Sequence, residues 1–165
     1  METFELEKNI WTENDFEQMG WHDCSIHAFA IDSDAYDDFV KCDLLFDIDY
    51  IFKWVLTEDK SRYCFWVAPS TLIFTEVTDL KFQYASGTSF LPELEISNIS
   101  RKEKIYENGY KSWHWQIELV GDNFISFDST GYKQIIKRTP SYMNRQVLTQ
   151  TERGGINFDC TPVTN

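Results

Sequence analysis

An unbroken period-two alternation from Lys41 to Trp54 constrains this chain more than any other feature. Cys42, Leu44, Phe46, Ile48, Tyr50, Phe52 and Trp54 fall on one side. Lys41, Asp43, Leu45, Asp47, Asp49, Ile51 and Lys53 fall on the other. Successive side chains of a strand point to opposite faces, so the pattern predicts a long antiparallel strand with one face in a core and the other largely in water. A strand of that length needs partners on both edges, and the rest of the chain offers them. Trp21 to Ile31, Arg62 to Ala68, Thr71 to Val77, Leu80 to Tyr84 and Leu94 to Ser100 are rich in β-branched and aromatic residues and are separated by polar turns. Pro69 points to an edge or a bulge. Trp113 to Leu119 and Phe124 to Phe127 form an expected hairpin around Gly121-Asp122-Asn123, and Asn108-Gly109 is a strong hairpin step before it.

Helical signals are few. Thr12 with Asp15 three residues on, and Gly20 at the far end, predict one short helix over 12–20. Residues 141–149 fit a second, broken by Gly154-Gly155, and 156–158 fit a terminal strand. The expectation is a single mainly β domain over 1–165, borderline α+β, built as an antiparallel β-sandwich or strongly curved sheet of about eight to ten strands with one or two short helices. At 165 residues, with 42% apolar and 16% aromatic composition, the chain has material for one full core and not for two ordinary domains.

The formal charge of −12 is unevenly placed. Residues 1–60 hold 16 acids and 4 bases, and residues 61–165 hold 11 of each. A localised negative field draws a basic partner and speeds its encounter, and it disfavours nucleic acid, whose phosphates need positive surface. Asp43, Asp47 and Asp49 on the predicted wet strand face are the expected partner-binding residues, with Asp37 and Asp38 at the rim. The same acids also guard an aggregation-prone strand. Asp47 and Asp49 as a carboxylate pair for acid–base catalysis lack the contrast in environment that would separate their pKa values.

Cys24, Cys42, Cys64 and Cys160 match no zinc spacing and predict reduced, mostly buried thiols. The acidic N-terminus has no apolar signal region, and no apolar run is long enough for a membrane span, so the expected compartment is the cytoplasm. No Gly-rich phosphate loop or nucleophile elbow is present, and no cofactor is expected. His22-Asp23 is the one candidate metal dyad, and it supports an alternative as a metal-dependent hydrolase. Cys24 beside His22 is a weaker candidate for a nucleophile and base. A curved sheet binding a small ligand is a third reading, and homo-oligomerisation stays open.

Three stretches carry a resemblance: residues 20–27 (GWHDCSIH), residues 68–80 (APSTLIFTEVTDL) and the distal segment from Gly131-Tyr132 to Gly154-Gly155. Together they resemble small uncharacterised bacterial β-rich proteins and are similar to some immunity proteins found beside polymorphic toxins. The resemblance implies a non-enzymatic cytoplasmic inhibitor that binds and blocks a toxin domain. It carries over no catalytic residue.

Overall fold

The computed structural model describes residues 4–36, 39–85 and 94–164. They form ten antiparallel strands: β1 Ile10–Thr12, β2 Ser25–Tyr36, β3 Phe39–Leu56, β4 Tyr63–Thr75, β5 Thr78–Gln83, β6 Leu94–Ile105, β7 Lys111–Leu119, β8 Asn123–Ser129, β9 Gly131–Ile136 and β10 Ser141–Met143. A 3-10 helix over Glu13–Gln18 and a single-turn α1, Gln150–Arg153, complete the inventory. The sheet order is β1-β9-β4-β3-β2-β6-β7-β8-β5, with β10 also on β4. The mainly β, curved-sheet expectation holds.

The curvature has a definite location. β2 pairs with β3 along its whole length but with β6 only at Ser25↔Glu95 and Ile26↔Leu94. At that narrow seam the sheet folds over, so β6–β7–β8–β5 cover one face of β2–β3–β4–β9. Phe46, Leu72 and Phe74 from the first half meet Trp115, Ile117, Ile125 and Phe127 from the second, all essentially inaccessible. Phe74 lies at the centre. Its ring is 4.7 Å from Phe127, 5.1 Å from Trp115 and 6.1 Å from both Phe46 and Tyr132, in tilted or edge-to-face contacts that suit aromatic quadrupoles.

Element boundaries differ from expectation where tertiary partners extend or interrupt a strand. β4 runs straight through Pro69, because there its outer partner changes: β9 pairs up to Ser70 and β10 begins at Val67. A missing N–H is tolerated at such a gap. β6 continues through Arg101-Lys102-Glu103-Lys104, paired with β7 as far as Ile105↔Lys111. The β6–β7 turn contains Gly109 at φ 81°, as the Asn-Gly step requires. The segment after Pro140 gives β10 and then α1, and residues 156–158 form no strand. Among the described residues no helix is long and apolar enough to cross a membrane.

Phe74→Ala removes the residue on which both halves converge. It should cost about 3–5 kcal/mol in urea unfolding, whereas Ile105→Ala, on an exposed position of β6, should stay within about 0.5 kcal/mol.

Candidate functional site

The strand face predicted to be wet is not. Asp47 and Asp49 are 0% exposed. Residues 144–163 cross this face of β3 and β4, and the two carboxylates bind that segment down. Asp47 accepts two hydrogen bonds from the Arg153 guanidinium, 2.7 and 2.8 Å, one from Lys137 Nζ at 2.6 Å and one from the Asn157 backbone at 3.0 Å. Asp49 accepts from Arg153 Nε at 3.2 Å and the Leu148 backbone at 2.8 Å, and pairs with His27 Nε2 at 2.9 Å. Asp47 and Asp49 are therefore internal anchors and not partner-binding residues. A buried carboxylate persists only when paired and fully hydrogen-bonded, and the C-terminal third supplies both conditions.

Local sequence places Arg153 for this task. Thr149 and Glu152 cap α1 reciprocally. Gly154 then turns the chain at φ 82°, in the left-handed region, and Gly155 donates back to Gln150 O at 2.8 Å. The Gly155 carbonyl accepts from the guanidinium at 2.8 Å. Burial alone pushes the Asp47 carboxyl up, but the hydrogen bonds from Arg153 and Lys137 outweigh it and hold it below the usual range. Burial, joined by the neighbouring Arg153 charge, lowers Lys137 despite its bond to Asp47, whereas for Arg153 the two aspartates win over burial. The Asp47–Arg153 pair is thus the ionic centre of the network.

The acidic surface that remains lies further along β2 and β3. Asp32 and Asp34 are exposed and Asp43 is half-buried. Asp43 faces Asp32 across the ladder, and Lys41 faces Asp34. Asp43 is partly committed already: it accepts from the Glu76 backbone at 2.9 Å and lies 3.8 Å from Lys41. Asp37 and Asp38 lie outside the described residues.

The opposite face of this ribbon was not anticipated as a surface. Phe29, Ile31 and Val40 are 46%, 55% and 63% exposed, and Phe29 stacks on the exposed Phe82 at 5.4 Å. Phe29 and Ile31 sit directly opposite Phe46 and Leu44, and with Val40 further along β3 they widen the same apolar face to the margin of the second half-sheet, where Phe82 of β5 reaches Phe29. Among the described residues the outer edge of β2 from Ala28 to Tyr36 has no strand partner. The signal in sequence was the length of the alternation, longer than one core thickness requires.

The other candidates separate clearly. His22 Nδ1 lies 2.6 Å from Asp23, but no three His, Cys, Asp or Glu side chains gather as a metal-ligand group among the described residues. Asp23 sits at φ 65° in the turn before β2, donates its N–H to Ile96 O at 2.8 Å and accepts from Gln146 at 2.8 Å. Its task is to join the two half-sheets and the C-terminal segment. Burial pushes the Cys24 thiol up to about 12, only partly opposed by the hydrogen bond from Ile51, which disfavours the thiolate a nucleophile needs. Cys24 and Cys64 are buried as expected, whereas Cys42 is half-buried and Cys160 is exposed. Comparison with known protein families, curated proteins and solved structures found no match.

Arg153→Met leaves two buried carboxylates short of a counter-charge and should cost about 3–5 kcal/mol in chemical denaturation. The lowered Asp47 value fixes the sign of a pH effect. Its stabilisation is complete above the ordinary carboxylate range and is lost as pH falls through the folded value. The melting temperature of the wild type should therefore fall with acid more steeply than that of Asp47→Asn, measured by scanning calorimetry across the acid range.

Proposed function

We propose that this chain is a protein-binding module, an immunity-type inhibitor, that docks a basic partner on the projecting β2–β3 ribbon. The observation that carries the reading is the pairing of two unlike faces on an edge that has no strand partner among the described residues. Phe29, Ile31 and Val40 are exposed on one face, and Asp32 and Asp34 are exposed on the other. Long exposed edge strands with apolar side chains are an aggregation hazard that folded proteins normally suppress. Adding a partner strand is an established use of such an edge.

The chemistry defines the partner. A strand laid along β2 would place alternate side chains on the two faces, so the complementary segment is apolar on one side and Lys- or Arg-rich on the other. Asp32 and Asp43 are like charges directly opposite, which destabilises the free ribbon. A partner cation between them relieves that repulsion. The charge also steers approach, so a basic toxin domain would be met quickly at low salt. Blocking follows from bulk, because a folded domain attached along its own edge strand covers whatever that edge borders.

A photo-crosslinking residue at Ile31, introduced in the native host, should capture a basic protein, and the same residue at Lys133 on the far side of the fold should not. With that partner purified, Asp32→Asn combined with Asp34→Asn should slow association about tenfold at low salt and flatten its salt dependence. Ile31→Asp should raise the dissociation rate. Capture of an acidic partner, or association indifferent to both salt and the two aspartates, would overturn the reading.

A further inference from the structure

A second candidate site opens where the β4–β5 turn meets the far half of the sheet, next to the ribbon through the Glu76–Asp43 hydrogen bond. A cleft of about 410 Å³ opens between the β4–β5 turn, the β6–β7 turn and the end of β8. Glu76, Tyr106, Tyr110, Ser112, Asp128 and Thr130 line it. That volume falls in the range of small-molecule sites.

The charges in and around the cleft are largely balanced from within. Asp128 is 2% exposed and both of its oxygens are committed. Oδ1 is 2.7 Å from His114 Nδ1, and Oδ2 takes the Lys104 ammonium and, at 3.4 Å, the Tyr106 hydroxyl. Lys104 also lies 3.7 Å from Asp79 and 4.9 Å from the Tyr106 ring centre. One exposed carboxylate, Glu76, is left over. A lone exposed charge attracts a cation by at most about 1 kcal/mol, and together with Asp128 it repels an anion.

Hydrogen-bonding capacity is what remains uncommitted. Ser112 is 6% exposed, and its hydroxyl has no partner among the described residues. A buried hydroxyl without a partner is costly, and this one borders the cleft. Cross-strand pairing sets Lys104 directly opposite it, so the strand face presents an ammonium that is already paired beside a hydroxyl that is not. On the rim, Tyr110 is 49% exposed and its ring is 5.7 Å from that of Tyr106, which offers an aromatic wall. An apolar ligand would leave Ser112 unsatisfied. A ligand with neighbouring hydroxyls and one apolar ring face satisfies each feature: hydroxyls on Ser112 and the Glu76 carboxylate, and C–H groups against Tyr110.

We propose that this cleft binds a neutral polyhydroxylated ring, a sugar or cyclitol, with Ser112 and Glu76 as hydrogen-bonding residues and Tyr110 as the stacking wall. The same chemistry is met in a free monosaccharide and in the end of a glycan chain, and the test separates them. The ¹⁵N-labelled chain is titrated with glucose, galactose, inositol, maltose and cellobiose, and with inorganic phosphate and methylammonium as charged controls, each to about 50 mM, well above a millimolar Kd. One or more of the neutral polyols should shift the amides of Ser112, Asp128 and Thr130. Tighter binding of a disaccharide identifies a glycan end, and equal binding identifies a free sugar. Ser112→Ala and Tyr110→Ala should each weaken binding about fivefold or more, and Ser112→Ala should do so without lowering the melting temperature, because its hydroxyl has no partner among the described residues. The proposal is overturned if no polyol shifts these amides, if phosphate or methylammonium shifts them as strongly, or if Ser112→Ala binds like the wild type.

Discussion

The architecture depends on neutralising two carboxylates at the centre of its longest strand. Asp47 and Asp49 project from the middle of β3 toward the side away from the aromatic core. Left in water they would make half of β3 an ordinary solvent-facing surface. The Arg153 guanidinium, the Lys137 ammonium and backbone amides of Leu148 and Asn157 convert that surface into an interior. Further ties extend the same effect. Thr71 donates to Asp159 O at 2.7 Å, and the Val163 amide donates to Ile136 O at 2.8 Å. The central strands are therefore covered twice, by an aromatic layer on one side and by an ion-paired segment on the other.

These two covers do different physical work. Apolar packing between Phe74, Trp115 and Phe127 supplies most of the driving force. Charge-assisted, bidentate hydrogen bonds contribute less net energy after desolvation, but they accept only one geometry. A one-residue slip of β3 would turn Asp47 and Asp49 into the aromatic layer. The same slip would turn Leu44, Phe46 and Ile48 out of the core, so both covers hold one register and the aromatic side supplies most of the stability. The far end of β2–β3 lies at the margin of both covers, where Phe29 meets Phe82 of β5 and Asp43 holds the Glu76 amide.

The sequence made one face of β3 legible and misled on the other. Leu44, Phe46, Ile48 and Tyr50 are buried as the alternation requires. The Asn-Gly turn and the β7–β8 hairpin are also where local chemistry puts them. The error on Asp47 and Asp49 has a clear cause: an aspartate facing water and one facing an arginine read identically within a strand. The deciding partner is 106 residues away for Asp47, beyond any periodicity argument. Arg153 could have been noticed, since it is bracketed by a helix-capping Thr149–Glu152 pair and by Gly154-Gly155, an unusually well-defined setting for one basic residue. Asp23 and Gln146 show the same limit on a smaller scale. Nothing near either residue announces their contact, and His22-Asp23 looks like a ligand pair until the turn geometry is known.

The separation of Asp47 from its counter-charges also dictates an order of events at the ribosome. Chains emerge N-terminus first, so β2, β3 and β4 are available long before residues 137 and 153. During that interval the nascent hairpin carries two carboxylates that cannot be desolvated without a cation, so the outer side of β3 stays hydrated and the sheet stays half-dressed. Closure waits for Lys137 and Arg153. Only once the segment from Lys137 to Asn157 has been added can the chain expel water from the middle of its longest strand.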